Sequence, residues 1–386
     1  MALFRKASLN NYAYILLLTY LWLGYVLDNI IHFTYIDEFY ELLFISMIII
    51  YRPTKEFVLM IVVFLFYFIY SIKYSANPVF FAKVADLIQQ MKPFAFFFFS
   101  YTFCPEFSGR RKSRIRFHLI LASLCYIVSY LIYGFDDSVG LIWHPFVLGI
   151  SAFSFGIAYY YYSSGKRYNI LLTIFILTLG LFSLRSKFFG EYVIMLFLLL
   201  FVRYRIRFNM KYVFGVTICT LLITILVIQK FTLYFIQSDN AARFVLYSNM
   251  PNVLIDYFPF GSGLASYATH ISGEYYSPLY YKYGLENCHG MSPDDYSYIA
   301  DTYFPVLAEF GVAGIFLFSW FWWRRYKEID NIALFSIREY RCGLAIFSMI
   351  IIESVAGPVL VMNWGLIPLY LLGVICRKSN MYRACL

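Results

Sequence analysis

Two acidic residues lie where a long apolar stretch begins, in the segment "DTYFPVLAEFGVAG" (301–314). Asp301 is its first residue, and Glu309 lies well inside it. A carboxylate in hydrocarbon costs about 3 kcal/mol or more, so ionisable groups that are kept there usually serve a function. We therefore predict that both acids belong to a catalytic site.

Three basic residues are candidates for binding phosphate. Arg185 and Lys187 lie in "FSLRSKFFGEY" (182–192), and Arg243 lies in "SDNAARFVLYSNM" (238–250). The planar guanidinium group of arginine matches the geometry of phosphate oxygens. The alternative is that these long side chains only anchor helix ends at a membrane surface.

Histidines and tyrosines nearby add candidates for acid–base chemistry and for sugar binding. His270 and His289 have side chains that titrate near neutral pH and are candidate general bases, although neither has metal-ligand spacing. The flat rings of tyrosine suit sugar faces and equally suit the membrane interface. The candidates for glycan binding are Tyr275, Tyr276, Tyr280, Tyr281 and Tyr298.

Two glycines in "PFGSGLASY" (259–267), Gly261 and Gly263, predict a tight turn. Such a turn either brings backbone N–H groups close to an anion or simply reverses the chain. The strand and helix that flank a dinucleotide-binding fingerprint are missing here, so the turn does not predict a nucleotide site.

The composition indicates an all-α polytopic membrane protein. The chain has 386 residues, of which 61% are hydrophobic and 14% charged, and a mean hydropathy of +0.67. Soluble domains are less apolar and about one-quarter charged. Apolar runs of roughly 15–20 residues, near the length that crosses a bilayer, recur along the chain. They predict twelve spans at 12–28, 39–51, 57–72, 91–105, 117–133, 145–163, 169–184, 190–202, 212–230, 305–323, 343–358 and 364–376.

The positions of the basic residues orient these spans. Loops on one side hold 23 of the 31 lysines and arginines, so that side and both termini are predicted to be cytoplasmic. The net charge of +9 is then a topology signal, which argues against a nucleic-acid partner. The predicted divisions are spans 1–9 (residues 1–230), one large outer loop (231–304) and spans 10–12 (305–386).

Three local predictions concern the outer segments. Residues 238–258 are predicted to form a helix on the membrane surface, and 73–90 to form an amphipathic segment at the interface. Ser292 and Pro293 are predicted to begin a helix that runs through Asp301 into the tenth span. On that helix Glu309 would lie about 12 Å beyond Asp301.

The order of these features resembles the superfamily of Wzy-type O-antigen polymerases and O-antigen ligases. The shared features are twelve spans, a short "SLRS" outer turn (183–186) and a large outer loop with an arginine on its first helix. The loop also carries a Gly-x-Gly turn (261–263) and ends in a "DTY…EFGVAG" segment that enters the next span. The resemblance implies a GT-C-like fold of about twelve transmembrane helices, with short amphipathic helices in the loop.

The resemblance implies a glycosyltransferase in the bacterial inner membrane that acts in lipopolysaccharide or other polysaccharide biosynthesis. Undecaprenyl-pyrophosphate-linked repeat units would be joined on the periplasmic face, with lipid pyrophosphate leaving and no metal or other cofactor. Arg185 and Arg243, with Lys187 beside them, would bind the pyrophosphate. Asp301 would accept the proton of the acceptor hydroxyl, and Glu309 would orient Asp301 or pair with an arginine. The implied partners are membrane lipids, a chain-length regulator and a flippase.

Two other functions stay open. An O-antigen ligase moves finished polymer to lipid A–core by nearly the same reaction, although ligases commonly have histidine where Asp301 stands. A flippase for lipid-linked oligosaccharides also suits twelve spans. Transporters, however, typically show internal repeats and mid-membrane charges, whereas this chain shows no repeat and its charges gather at the outer ends. The polymerase is therefore the favoured prediction.

Overall fold

The computed structural model describes residues 2–27, 35–51, 53–135, 142, 144–206 and 241–385. These residues form an all-α structure in which no β-strand occurs. The helices before residue 206 are α1 Ala2–Trp22, α2 Ile36–Tyr51, α3 Lys55–Tyr74, α4 Phe80–Phe103, α5 Gly109–Tyr133, α6 Pro145–Tyr162, α7 Arg167–Leu179 and α8 Ser186–Leu200. The later helices are α9 Ala242–Asp256, α10 His270–Glu274, α11 Pro278–Lys282, α12 Gly311–Ile332, α13 Ile337–Ala356 and α14 Leu366–Ala384.

Helices lie at eleven of the twelve predicted spans, and the ninth, at 212–230, falls outside the described residues. Within the described chain, Lys55–Tyr74 and Gly109–Tyr133 are long and apolar enough to cross a membrane. Arg167–Ser183 is apolar but shorter. The all-α class is thus confirmed, while the twelve-span arrangement stays a prediction.

Helices α6 and α14 form the centre of the bundle. Every side chain from 146 to 162 on α6 is buried, and α14 is buried without interruption from 366 to 376. A helix that is apolar on all sides packs in this way because it has no polar face to present to water. Gly373 lets α14 approach α4 closely, since a Cβ there would lie 2.3 Å from the Phe97 carbonyl oxygen.

Helix α3 presents an apolar face to the outside of the bundle. Large hydrophobic side chains at seven of its positions are between 45% and 67% exposed. Soluble monomers rarely expose a continuous apolar surface of this kind. The exposed side chains are Val58, Leu59, Val62, Leu65, Phe66, Ile69 and Ile72.

Two of the local predictions are wrong. Residues 80–90 do not form a separate surface segment, because they continue into the fourth predicted span as the single helix α4, where Lys83 and Asp86 are buried. No helix runs from Ser292 to Glu309 either. The chain there makes turns, then a 3-10 helix at Phe304–Glu309, and α12 begins only at Gly311, whose φ of +63° interrupts the helical path.

The loop helix predicted within 238–258 is confirmed as α9, Ala242–Asp256. Ala242, Val245 and Leu246 on this helix are buried, and α9 packs against the 3-10 helix Phe304–Glu309. Its predicted place on the membrane surface stays a prediction. This packing fixes the first turn of α9, and with it Arg243, beside the segment that carries Asp301.

Candidate functional site

One cavity of about 580 Å³ brings together six of the residues proposed from the sequence. Its basic group consists of Arg185, Lys187 and Arg243, which come from α8 and α9 and their starts. Several cations around one cavity suit a multiply charged anion. The other predicted residues that line it are His270, Tyr298 and Asp301.

Arg243 and Asp301 form an ion pair in this cavity. Arg243 Nη2 lies 2.6 Å from Asp301 Oδ2, and about one-third of the Asp301 side chain is exposed. Burial raises the pKa of the Asp301 carboxyl above its usual value, whereas Arg243 and Lys187 act to lower it. Asp301 therefore serves as a counter-ion that orients Arg243, and that contact reduces its availability as a base.

Arg185 stands at the junction between a tight turn and α8. The "SLRS" segment (183–186) begins at the last residue of a 3-10 turn, Gly180–Ser183, and continues with Leu184 at a φ of +50°, so the chain does turn here. The placement of this turn on the outer side stays a prediction. Arg185 Nη2 lies 2.7 Å from Nε2 of His144, and no carboxylate within the described part of the chain pairs with Arg185. Arg185 caps the N-terminus of α8, where unpaired backbone N–H groups also favour anions.

Lys187 is held by acids beneath the cavity. Its Nζ donates to Glu353 Oε2 at 2.6 Å and to the Ala356 carbonyl at 3.3 Å, and it lies 4.1 Å from the Phe146 ring centre. The buried Glu191 carboxyl contacts Glu353. Lys187 is thus paired with Glu353 and serves as an anchored part of the basic group.

An acidic group, absent from the sequence-based candidates, lines the same cavity. It consists of Asp37 and Glu38 at the start of α2 and Lys92 of α4. Lys92 Nζ donates to Asp37, and it lies 2.7 Å from Glu38 Oε1. The sequence did contain a signal, because the acids of "IDEFYE" (36–41) stand at the entrance of a predicted span.

Glu309 lies away from the cavity and is fully buried. Its Oε1 accepts the backbone N–H groups of Ser266 at 2.6 Å and Tyr267 at 2.7 Å. Its carboxyl also contacts that of Asp86, which accepts the Ala265 N–H at 2.8 Å. We therefore assign Glu309 a structural role, in place of the catalytic role expected from the sequence.

The glycine turn packs against the chain instead of facing an anion. Gly261 and Gly263 have φ values of +84° and +81°, which favour glycine. A Cβ on Gly261 would lie 2.3 Å from the Gly311 nitrogen, and Gly263 N–H donates to the Glu309 carbonyl at 3.0 Å. Of the two alternatives for this turn, the structure therefore fits a simple reversal of the chain and not an anion-binding turn.

Most of the other candidates lie outside the cavity. Tyr280 is buried, and its hydroxyl accepts the Ala268 N–H at 2.9 Å. The Tyr276 hydroxyl donates to the Met291 carbonyl at 2.6 Å. Of the five tyrosines, only Tyr298 lines the cavity, and His289 lies against its ring with centres 5.6 Å apart. Tyr275 and Tyr281 are exposed and do not line the cavity, and the ring of Tyr281 contacts that of Tyr276 with centres 5.1 Å apart.

A smaller apolar groove adjoins the cavity. Its volume is about 110 Å³, and it runs between α3 and α12 past Val63, Phe64 and Leu317. Gln90 and Tyr303 line both spaces, and the Tyr303 hydroxyl lies 3.4 Å from Gln90 Oε1. The groove and the cavity therefore share two lining residues, and the groove is also lined by the charged residues Glu56, Arg324 and Arg325.

Comparison with known proteins adds no support to the resemblance, which rests on architecture and short motifs alone. No protein-family model matches the chain, and no curated protein matches it in sequence. Across the residues that the structure describes, no group of three or more His, Cys, Asp or Glu is placed to hold a metal ion.

Proposed function

We propose that the protein is a membrane glycosyltransferase that polymerises undecaprenyl-pyrophosphate-linked repeat units on the periplasmic face of the bacterial inner membrane. The observation that carries this proposal is the convergence of Arg185, Lys187 and Arg243 on one cavity, although they are distant in sequence. A pyrophosphate offers several anionic oxygens to such a group.

In the proposed reaction, the step that most needs stabilisation is the departure of the leaving group. As the acceptor oxygen bonds to the anomeric carbon, the bond from that carbon to the pyrophosphate oxygen breaks, and negative charge develops on the lipid pyrophosphate. Fixed cations placed at that oxygen lower the barrier without reorganising. Arg185 and Arg243 supply forked donors for this purpose, and Asp301 keeps Arg243 in position.

The proposed location in the membrane is supported by the exposed apolar face of α3 and by two helices long enough to cross a bilayer. The uneven distribution of basic residues supports cytoplasmic termini and a periplasmic loop. With this topology the cavity would open at the outer ends of the helices. Lipid-linked substrates could then reach it from the plane of the membrane.

The apolar groove is proposed to seat the first isoprene units of the lipid carrier. Replacing Val63, which lines the groove, with tryptophan should raise the KM for the long-chain substrate about tenfold or more, as expected when roughly two buried methylenes are lost. Initial rates in detergent or nanodiscs would measure this. The KM for a donor with a short, water-soluble prenyl chain should change little.

The matched control is Val62→Trp, because Val62 is the neighbouring residue, is 56% exposed and does not line the groove. It should leave both KM values unchanged. Equal effects of the two tryptophans on the long-chain substrate would contradict the assignment of the groove.

The proposed function is tested by deleting the gene in its host and separating the surface glycan on a gel. Loss of a polymerase leaves single repeats on the lipid core, and the wild-type gene restores long chains. A ligase deletion would instead leave finished polymer on the lipid carrier, and a flippase deletion would leave repeat units on the cytoplasmic face. Long chains in the deletion strain would refute all three functions.

A further inference from the structure

The acidic group is more enclosed than the basic group. Asp37 is 3% exposed and Lys92 is 3% exposed, whereas the side chains of Lys187 and Arg243 are 16% and 19% exposed. Two carboxyl groups share a single ammonium group here, whereas arginine and lysine dominate elsewhere in the same cavity. The cavity therefore has one region with an excess of positive charge and another in which carboxyl groups offset the charge of Lys92.

The two carboxyl groups of the acidic group are in contact with each other. Both of them also contact the ammonium group of Lys92, so the three side chains lie together. Their outer oxygens, Asp37 Oδ1 and Glu38 Oε2, receive no hydrogen bond from any N–H or O–H donor among the described residues. Buried acceptors without a protein donor are uncommon, and hydroxyl groups of a sugar are suitable donors.

The structure assigns the acidic group as the acceptor site of the glycosyl transfer proposed above, on which this inference rests. We propose that Asp37 removes the proton from the acceptor hydroxyl while Glu38 and Lys92 hold Asp37 in place. The acceptor oxygen bonds to the anomeric carbon, and the hydroxyl proton moves to the Asp37 carboxylate. The bond to pyrophosphate breaks, and its electron pair leaves with the lipid pyrophosphate at the basic group.

The separation of charge supports this division of roles. A pyrophosphate would be attracted to Arg185 and its neighbours, whose net charge is positive, more than to the acidic group, where a carboxylate offsets the charge of Lys92. The acceptor hydroxyl is neutral and is therefore free to approach the carboxyls. Asp301, already engaged by Arg243 at 2.6 Å, then acts through that arginine as a positioning residue.

The local charges give the reaction a characteristic pH dependence. Burial and the contact with Glu38 raise the pKa of Asp37, Lys92 opposes them, and together these effects give a pKa of about 8. The other titratable group that faces the acidic group in the described chain is Glu41 on α2. Because only the ionised form of Asp37 accepts a proton, turnover should rise as the pH increases through about 8.

The experiment uses the full-length protein in nanodiscs with a lipid-linked repeat unit. Asp37→Asn should lower kcat by about 100-fold or more and remove the rise near pH 8. The affinity for undecaprenyl pyrophosphate, measured by inhibition, should stay unchanged. Glu41→Gln is the matched control, since Glu41 is buried one turn further along α2 and does not line the cavity, and it should preserve kcat.

A second variant guards against a folding defect in Asp37→Asn. In Glu38→Gln the neighbour no longer raises the pKa of Asp37, so the rise in turnover should move to lower pH. An unchanged pH profile in Glu38→Gln, or a wild-type kcat in Asp37→Asn, would overturn the inference. Wild-type protein that fails to extend any lipid-linked repeat would instead refute the proposed function itself.

Discussion

The Glu309→Ala substitution is expected to destabilise the fold by about 3–5 kcal/mol, whereas Glu309→Gln should leave it almost unchanged. Glu309 is the only side chain that reaches the backbone N–H groups of both Ser266 and Tyr267 in the described structure. Alanine would leave both donors buried without acceptors. It would also leave the carboxylate of Asp86 without the proton that the pair shares.

Glutamine imitates the protonated form of Glu309. Its carbonyl oxygen can accept the same two N–H groups, and its amide nitrogen can donate to Asp86 in place of the shared proton. The two variants thus separate a structural role from a catalytic one. A catalytic Glu309 would lose activity in Glu309→Gln while its stability stayed intact.

Unfolding in mixed micelles by titration with denaturing detergent measures these stabilities, and glycan extension measures activity. Glu274→Ala is the control, because Glu274 is an exposed acid of the same loop and should affect neither. A stable Glu309→Ala protein, or an inactive but stable Glu309→Gln protein, would contradict the structural role.

The helices could be predicted from the sequence because an apolar run encodes a helix locally. The predicted spans at 57–72 and 117–133 lie within α3 and α5, which begin two and eight residues earlier than predicted. The prediction of 73–90 failed because Lys83 and Asp86 are charged, and charge was taken as a sign of exposure. Asp86 is instead buried against a loop almost 180 residues away, and no local pattern shows such a partner.

Part of the candidate site could likewise be predicted from local features of the sequence. The basic group could be found because arginine on the outer side is rare and the phosphate chemistry of arginine is specific. Glu309 was assigned wrongly because its acceptors in the turn at 261–268 become neighbours only through tertiary packing. Asp37 and Glu38 lie outside the long loop that supplied most of the candidates. Their contact with Lys92 also joins separate helices, so the sequence alone does not show it.

The Arg185→Ala substitution is expected to lower kcat by about 10²- to 10³-fold, which is the usual effect of removing one charged donor from a developing anion. Arg185 is the member of the basic group that no described carboxylate neutralises, since Arg243 pairs with Asp301 and Lys187 with Glu353. Its charge is therefore the most available to the leaving pyrophosphate.

Arg185→Lys and Arg205→Ala make the test specific. Lysine keeps the charge but loses the fork, so Arg185→Lys should retain part of the activity that Arg185→Ala loses. Arg205 pairs with Asp330 at a partly exposed site that does not line the cavity, so Arg205→Ala should leave kcat unchanged. If Arg185 acts mainly in the transition state, kcat falls more than KM rises. A loss confined to KM would mean that Arg185 only binds the ground state, and wild-type rates in Arg185→Ala would remove it from the site.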